Sequence, residues 1–484
     1  MKQTKENVLS NLIWRFAERC GAQVVQFLVS IILARILAPE AYGIISLVLV
    51  FTQIFEVFVD SGLGNALIQK KDADNLDFSS VFWFNLGLCL CLYGVLFISA
   101  PMISKFYNNS NLISIIRVLC LTIVISGLKN VQQAYVSKTL QFKKFFFATI
   151  GGTLVSAVVG IGLAMLGGGV WALVVQKITN LAIDTIVLWL IVEWRPKMIF
   201  SFKRLKGLIS YGWKLLASSL LDSIYNNLNS LIIGKMYSSA DLAYYNQGRQ
   251  FPNVIVTNIN TSIDSVLLPT MSQVQDDPKQ VKHMTRRSIK ISTYVMAPLM
   301  MGVAFCAEPL VRLMLTEKWL SCVPYMRIFC ITYMFYPIHT SNLNAIKAMG
   351  RSDLFLILEI VKKVVGLILL FSTMWFGVMI MAYSLLVSSV TSQIINSWPN
   401  RKLLNYSYIE QLKDILPSIL LAVVMGVCVF PISLLGIPNI LIFLIQIFLG
   451  AGIYIGGSAL FKLDSFKYLW EIISPYIKRR NHSK

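Results

Sequence analysis

The sequence is short of charge, and shortest of negative charge. Only 14% of its 484 residues are charged, against about a quarter in soluble domains, and 23 acidic residues stand beside 43 Lys and Arg. A water-soluble globular fold is excluded for most of the chain. Histidine is scarce: His283, His339 and His482 are scattered, and the eight cysteines make no paired ligand motif. No metal and no cofactor are expected, and the cysteines read as small buried hydrophobes. His339 could act as a proton sensor, but a hydrogen-bonded core histidine is the simpler reading. Without a Walker-type phosphate loop, ATP hydrolysis by the chain is not expected. The net charge of +20 gathers into no basic domain, which excludes a nucleic-acid partner. The opening Met1–Cys20 stretch lacks the uninterrupted apolar core and small-residue cleavage site of a signal peptide, so it is expected to stay attached.

What the sequence has is apolar length. It is 56% hydrophobic, with a mean hydropathy of +0.67, and a helix needs roughly 20 apolar residues to cross a bilayer. Apolar segments fall at 10–35, 41–63, 79–103, 111–136, 146–166, 169–193, 212–235, 243–272, 287–307, 320–347, 353–375, 377–399, 413–432 and 437–461. The fold class expected is therefore an all-α polytopic membrane protein of about fourteen transmembrane helices. Alternate connections are basic, among them Lys70 and Lys71, Lys138 with Lys143 and Lys144, and Arg195 through Lys206. By the positive-inside rule that side is cytoplasmic, and Lys2, Lys5 and Lys478-Arg479-Arg480 place both termini there.

The chain also repeats itself. Arg117-Val-Leu-Cys-Leu-Thr122 returns as Arg327-Ile-Phe-Cys-Ile-Thr332, Ile32-Leu-Ala-Arg35 as Ile232-Ile-Gly-Lys235, and Asp60-Ser61 as Asp264-Ser265. Matches in chain order at similar offsets are what one duplication with small insertions leaves. The expected organisation is a six-span lobe over 1–193, a cytoplasmic linker at 194–211 and a second six-span lobe over 212–399. Two further spans and a basic tail occupy 400–484. The lobes would be pseudo-symmetric around a central cavity.

Ionisable groups in hydrocarbon are costly and usually face a bundle interior or water, so their spacing carries information. Arg15, Arg19, Gln23 and Gln26 share one face of the first span, with Glu18 beside them. The eighth span repeats the pattern with Gln250, Asn253, Thr257, Asn260 and Asp264, and the second span carries Glu56 and Asp60. Asp222 and Asn226 lie on the seventh, Arg117 and Lys129 on the fourth, and Arg327 and His339 on the tenth. Polar stripes in related spans suggest a hydrated cavity. Guanidinium groups such as Arg15, Arg19, Arg117 and Arg327, together with Lys129 and Lys177, suit a phosphate or diphosphate. The candidate coupling or gating acids are Glu18, Glu56, Asp60, Asp222 and Asp264. Lys177 with Asp184, and Glu359 with Lys362, read as local ion pairs. Asp72-Ala-Asp74 has the spacing of a sugar-nucleotide site but no catalytic domain around it.

Several ordered motifs carry a family resemblance. They are Ala34-Arg-Ile-Leu-Ala-Pro-Glu-Ala-Tyr-Gly43, Phe58-Val-Asp-Ser-Gly-Leu-Gly-Asn-Ala-Leu-Ile-Gln69, Phe106-Tyr-Asn108, Leu140-Gln-Phe-Lys143, Gly169-Val-Trp-Ala-Leu173 and Ser230-Leu-Ile-Ile-Gly-Lys235. Through them the chain resembles the Wzx-type polysaccharide-transporter flippases, closest to the colanic-acid exporters, of the multidrug/oligosaccharidyl-lipid/polysaccharide exporter superfamily. The resemblance implies a non-enzymatic flippase of the bacterial inner membrane. It would move undecaprenyl-diphosphate-linked oligosaccharide between leaflets by alternating access, for lipopolysaccharide, capsule or exopolysaccharide. Implied partners are the lipid-linked oligosaccharide, membrane lipids, and polysaccharide polymerase and chain-length proteins. The alternatives are ion-coupled multidrug antiport and a membrane glycosyltransferase or polymerase.

Overall fold

A computed structural model describes residues 5–60 and 63–481, and every regular element among them is helical. Two compact units divide the chain, Met1–Ala243 and Tyr244–Lys484. The first holds α1 (Lys5–Ile36), α2 (Pro39–Asp60), α3 (Leu63–Gln69), α4 (Asn75–Tyr107), α5 (Asn111–Leu119), α6 (Leu121–Lys138), α7 (Phe142–Met165), α8 (Val170–Ile191) and α9 (Phe202–Met236). The division falls inside α10 (Ser239–Ser272). The second unit continues with α11 (Pro278–Phe305), α12 (Ala307–Met314), α13 (Val323–Met334), α14 (Tyr336–Ala348), α15 (Ser352–Thr373), α16 (Val378–Leu403), α17 (Tyr408–Val429), α18 (Asn439–Leu460) and α19 (Asp464–Asn481).

Large apolar side chains cover the outside: Val158, Met165, Leu190, Phe448 and Leu460 are all exposed. Such a surface is stable only against lipid, and the chain is a polytopic membrane protein. Among the described residues, ten helical stretches are long and apolar enough to cross a bilayer. The other four expected segments are helical too, and each falls short for a readable reason. α9 and α10 carry the polar stripes, the α13/α14 segment carries Arg327, His339, Asn342 and Asn344, and α15 bears Glu359, Lys362 and Lys363. One cysteine expectation is corrected. Cys89, Cys120, Cys306, Cys322 and Cys330 are buried, whereas Cys20, Cys91 and Cys428 are exposed on helices that meet lipid or open space.

The duplication is visible in the joints. α1 ends at Ile36 and α2 begins at Pro39; α9 ends at Met236 and α10 begins at Ser239. α8 and α16 each start after a glycine in the left-handed region, Gly169 at φ +53° and Gly377 at φ +105°, where a Cβ would be strained. The paired arginines repeat a bond as well as a motif. Arg117 donates from Nε to the Phe97 carbonyl at 3.4 Å, and Arg327 donates from Nε to the Ala304 carbonyl at 3.2 Å. Each arginine thus ties a broken helix to the long helix that precedes it in its own unit.

Within the first unit, α7 lies along α1 and α8, and α9 packs on α2, α3 and α4. A core of Phe78, Phe82, Leu188, Trp194 and Leu205 closes the basic end. In the second, α17 packs on α11, with Gly426 set so close that a Cβ there would meet the Phe305 ring at 2.1 Å. A buried amide pair secures the same helix. Asn342 and Gln411 donate to each other at 2.8 and 3.1 Å, with Ser397 and Asn400 joining them. α17 is thereby built into its unit, and α18 joins it through Tyr454, which donates to the Tyr294 carbonyl at 2.9 Å, and Ser458, which accepts from the Tyr294 hydroxyl at 3.0 Å.

Candidate functional site

The first helix shows how the polar face arises. Glu18, Ala22, Val29 and Leu33 are buried, and α1 packs on α7. Two exposed faces remain, roughly opposite each other around the helix: Val24, Leu28 and Ile32 on one, Arg19, Gln23 and Gln26 on the other. Exposed valine and leucine suit acyl chains. An exposed guanidinium and two amides do not, because each unsatisfied polar group costs several kcal/mol in hydrocarbon. The Arg19 face therefore looks onto water or a polar ligand.

The basic residues of this unit divide by what they touch. Arg15 is paired with Glu18 at 2.6 Å and lies over the Phe142 and Phe145 rings, while the Thr149 hydroxyl donates to Glu18 at 3.3 Å. Lys129 is nearly enclosed and paired with Asp184 at 2.5 Å. The local Lys177–Asp184 pair expected from spacing is thus replaced by a bond between α6 and α8, whereas the Glu359–Lys362 pair is present at 2.6 Å. Arg117 is held on the Phe97 carbonyl and ring. Arg19 and Lys177 stay exposed. Among the described residues Arg19 has no carboxylate partner, and Lys177 lies within electrostatic reach of the half-buried Glu56. Asp60 ends α2, and its side chain and Ser61 lie outside the described residues. On α9, Asp222 is half-buried and Asn226 exposed.

In the second unit Gln250 and Asn260 are half-buried, and Asn253 and Thr257 are exposed. Asp264 closes the stripe by accepting from the Asn344 amide at 2.7 Å. Beside Gln250 stands a residue that sequence reasoning passed over. Arg249 donates from Nε to the Tyr333 hydroxyl at 2.8 Å, and no carboxylate meets it among the described residues. Tyr333, Tyr336 and His339 continue from it ring against ring, at 5.3 and 5.4 Å between centroids. His339 takes the Asn396 amide on Nδ1 at 3.0 Å and faces Ser389 through Nε2 at 3.5 Å. It is bound within its unit, as a core histidine is. Arg327, on the same segment, is committed to Ala304.

Each unit therefore carries a polar face with a guanidinium that lacks a carboxylate: Arg19 in the first, Arg249 in the second. Such a group can bind a phosphate oxygen without first breaking an ion pair. Among the described residues no three His, Cys, Asp or Glu are placed to hold a metal ion.

The family model described as "Polysaccharide biosynthesis protein" matches residues 32–324. The chain belongs to this family. Among its relatives is the teichuronic acid biosynthesis protein TuaB of Bacillus subtilis (strain 168), 24% identical over 387 residues, which are 79% of this chain and 80% of that protein. The lipopolysaccharide biosynthesis protein WzxC of Escherichia coli (strain K12) is 24% identical over 330 residues, 67% of this chain and 66% of the relative. Among solved structures, the lipid II flippase MurJ in an inward closed conformation superposes with a TM-score of 0.76 over 93% of this chain and 98% of that one, at 15% identity. At that identity the likeness concerns the fold, and it gives this family member the fold of a polytopic membrane protein.

Proposed function

We propose that this member of the polysaccharide biosynthesis family moves an oligosaccharide linked to undecaprenyl diphosphate from the inner to the outer leaflet of a bacterial cytoplasmic membrane. The activity is transport, without a chemical step on the sugar. The observation that carries the reading is the pair of carboxylate-free guanidinium groups, Arg19 and Arg249, on the polar faces of the two units. A diphosphate offers the oxygens such groups bind, and the Gln23, Gln26, Asn253 and Thr257 side chains offer hydrogen bonds to sugar hydroxyls. Basic connections such as Lys70–Lys71 and Arg195–Lys206 support cytoplasmic termini, and polymerase and chain-length proteins are the partners expected downstream. Glu56, beside Lys177, is the acid best placed to couple transport to an ion gradient or to the membrane potential, worth about 2.3 kcal/mol per charge per 100 mV.

The test is export in a strain deleted for this gene. R19A and R249A should reach wild-type protein levels, lose surface polysaccharide and accumulate lipid-linked sugar, with R249K retaining part of the activity. Wild-type polysaccharide from R19A/R249A would sink the proposal. Drug resistance conferred by the chain, with no accumulation on deletion, would favour antiport instead.

A further inference from the structure

The segment joining α8 to α9 is pinned along its length. The Trp83 indole donates to the Lys197 carbonyl at 2.9 Å, the Lys197 amide to the Ser79 hydroxyl at 3.1 Å, and the Ser201 amide to the Ser80 hydroxyl at 2.9 Å. Trp194 is buried and donates to the Asn75 side chain at 3.0 Å. A segment held by α4 in this way has little freedom to hide its remaining side chains. Met198 is 85% exposed, Phe202 67% and Phe200 52%.

Cations surround these apolar side chains. Lys197, Lys203, Arg204 and Lys206 are exposed beside them, and Arg204 and Lys70 line an open pocket of about 320 Å³ with Ala66, Gln69, Gly207 and Leu208. Carboxylates are present too. Asp77 is shared by Lys70 at 2.6 Å and Arg204 at 3.4 Å, and Arg204 also reaches Asp74 at 3.4 Å. Positive charge still prevails: Lys70, Lys71, Lys197, Lys203, Arg204 and Lys206 stand against Asp72, Asp74 and Asp77. Exposed apolar side chains next to a basic pocket make up the pattern of a membrane interface, where the first enter acyl chains and the second meets anionic headgroups.

We propose that this segment binds an anionic phospholipid, with the phosphodiester in the Lys70–Arg204 pocket and acyl chain over Met198, Phe200 and Phe202. The pocket equals about ten water volumes, enough for a phosphate and a small polyol. This lipid is a resident of the first unit and is distinct from the transported substrate. Its binding requires neither Arg19 nor Arg249, so its test stands apart from that of transport.

The full chain purified in detergent is offered phosphatidylglycerol, phosphatidylcholine or inorganic phosphate, and retained ligand is read by native mass spectrometry. Phosphatidylglycerol should be retained in preference to phosphatidylcholine and should withstand an equal concentration of inorganic phosphate. K203Q/K206Q removes two exposed charges that hold no partner among the described residues, so it should elute as wild type on size exclusion. At about fivefold per charge, it should weaken retention about 25-fold. M198S/F200S should weaken retention of the lipid as well. Equal retention of both lipids, displacement by inorganic phosphate, or unchanged retention in K203Q/K206Q would each overturn the proposal.

Discussion

The Lys129–Asp184 pair offers a direct trial of the distinction between cations that hold the fold and cations that meet substrate. The two groups are 2.5 Å apart, with side chains 13% and 9% exposed, so little water remains to solvate either one alone. Removing one partner from such a pair leaves an uncompensated buried charge at a cost of about 3–5 kcal/mol, and 3 kcal/mol is about a hundredfold in the folded-to-unfolded ratio. Replacing both with apolar groups of similar volume is often neutral. K129M and D184L should therefore each lower thermal stability in detergent sharply, while K129M/D184L should recover most of it. Export should follow stability, returning in the double variant. A K129M protein as stable as wild type but inactive, with no recovery in K129M/D184L, would refute this account and return Lys129 to the substrate face.

Cysteine accessibility separates the two exposed faces of α1. In a background lacking the native cysteines, Gln23→Cys should react with a membrane-impermeant maleimide, and Val24→Cys, also exposed in the fold, should not. Reaction of both would remove the lipid-facing assignment. The two arginine pins should behave alike: R117A and R327A each lose a charged hydrogen bond to a carbonyl, at about 1.5–3 kcal/mol, and export should recover at reduced growth temperature. Inactivity of R117A at undiminished stability would count against the pin. The backbone N–H of Asp77 donates to the Asp74 carboxyl at 3.0 Å and holds it below the usual carboxylate range, with Arg204 assisting. A carboxyl lowered on folding adds stability fully above its unfolded value, near pH 4, and loses it as pH falls through the lowered folded value. The stability difference between wild type and D74N should thus be constant from pH 5 to 8 and shrink in more acid solution, and a difference growing with acidity would contradict the cap.

How far the sequence could be read depended on the distance over which each feature is set. The stripe of Arg19, Gln23 and Gln26 needs only helical geometry, and the structure leaves those three exposed together. Arg15–Glu18 is likewise a short-range matter, three residues apart on one helix. Lys129–Asp184 and Arg249–Tyr333 join residues 55 and 84 positions apart, and no periodicity announces which helices will meet. Arg249 precedes Asn253 and Thr257 by four and eight residues and so shares their face; what spacing could not supply is its bond to Tyr333.

The duplication sharpens what the halves share and where they part. Arg117 and Arg327 look like substrate-binding cations because both copies have them. Yet both are spent on a carbonyl of the preceding helix, the kind of bond any copy of the unit needs in order to stand. At the offset set by the α1/α2 and α9/α10 joints, Arg19 corresponds to Ser219 and Arg249 to Leu49. Arg19 and Arg249, which among the described residues meet neither a carboxylate nor a backbone carbonyl, are thus not repeated in the other copy. A device for holding a helix must serve each half, whereas a substrate with a single diphosphate asks something different of the two. Introducing the missing counterpart, as in S219R or L49R, should on this logic bring no gain in export, while R19S or R249L should abolish it at normal protein levels.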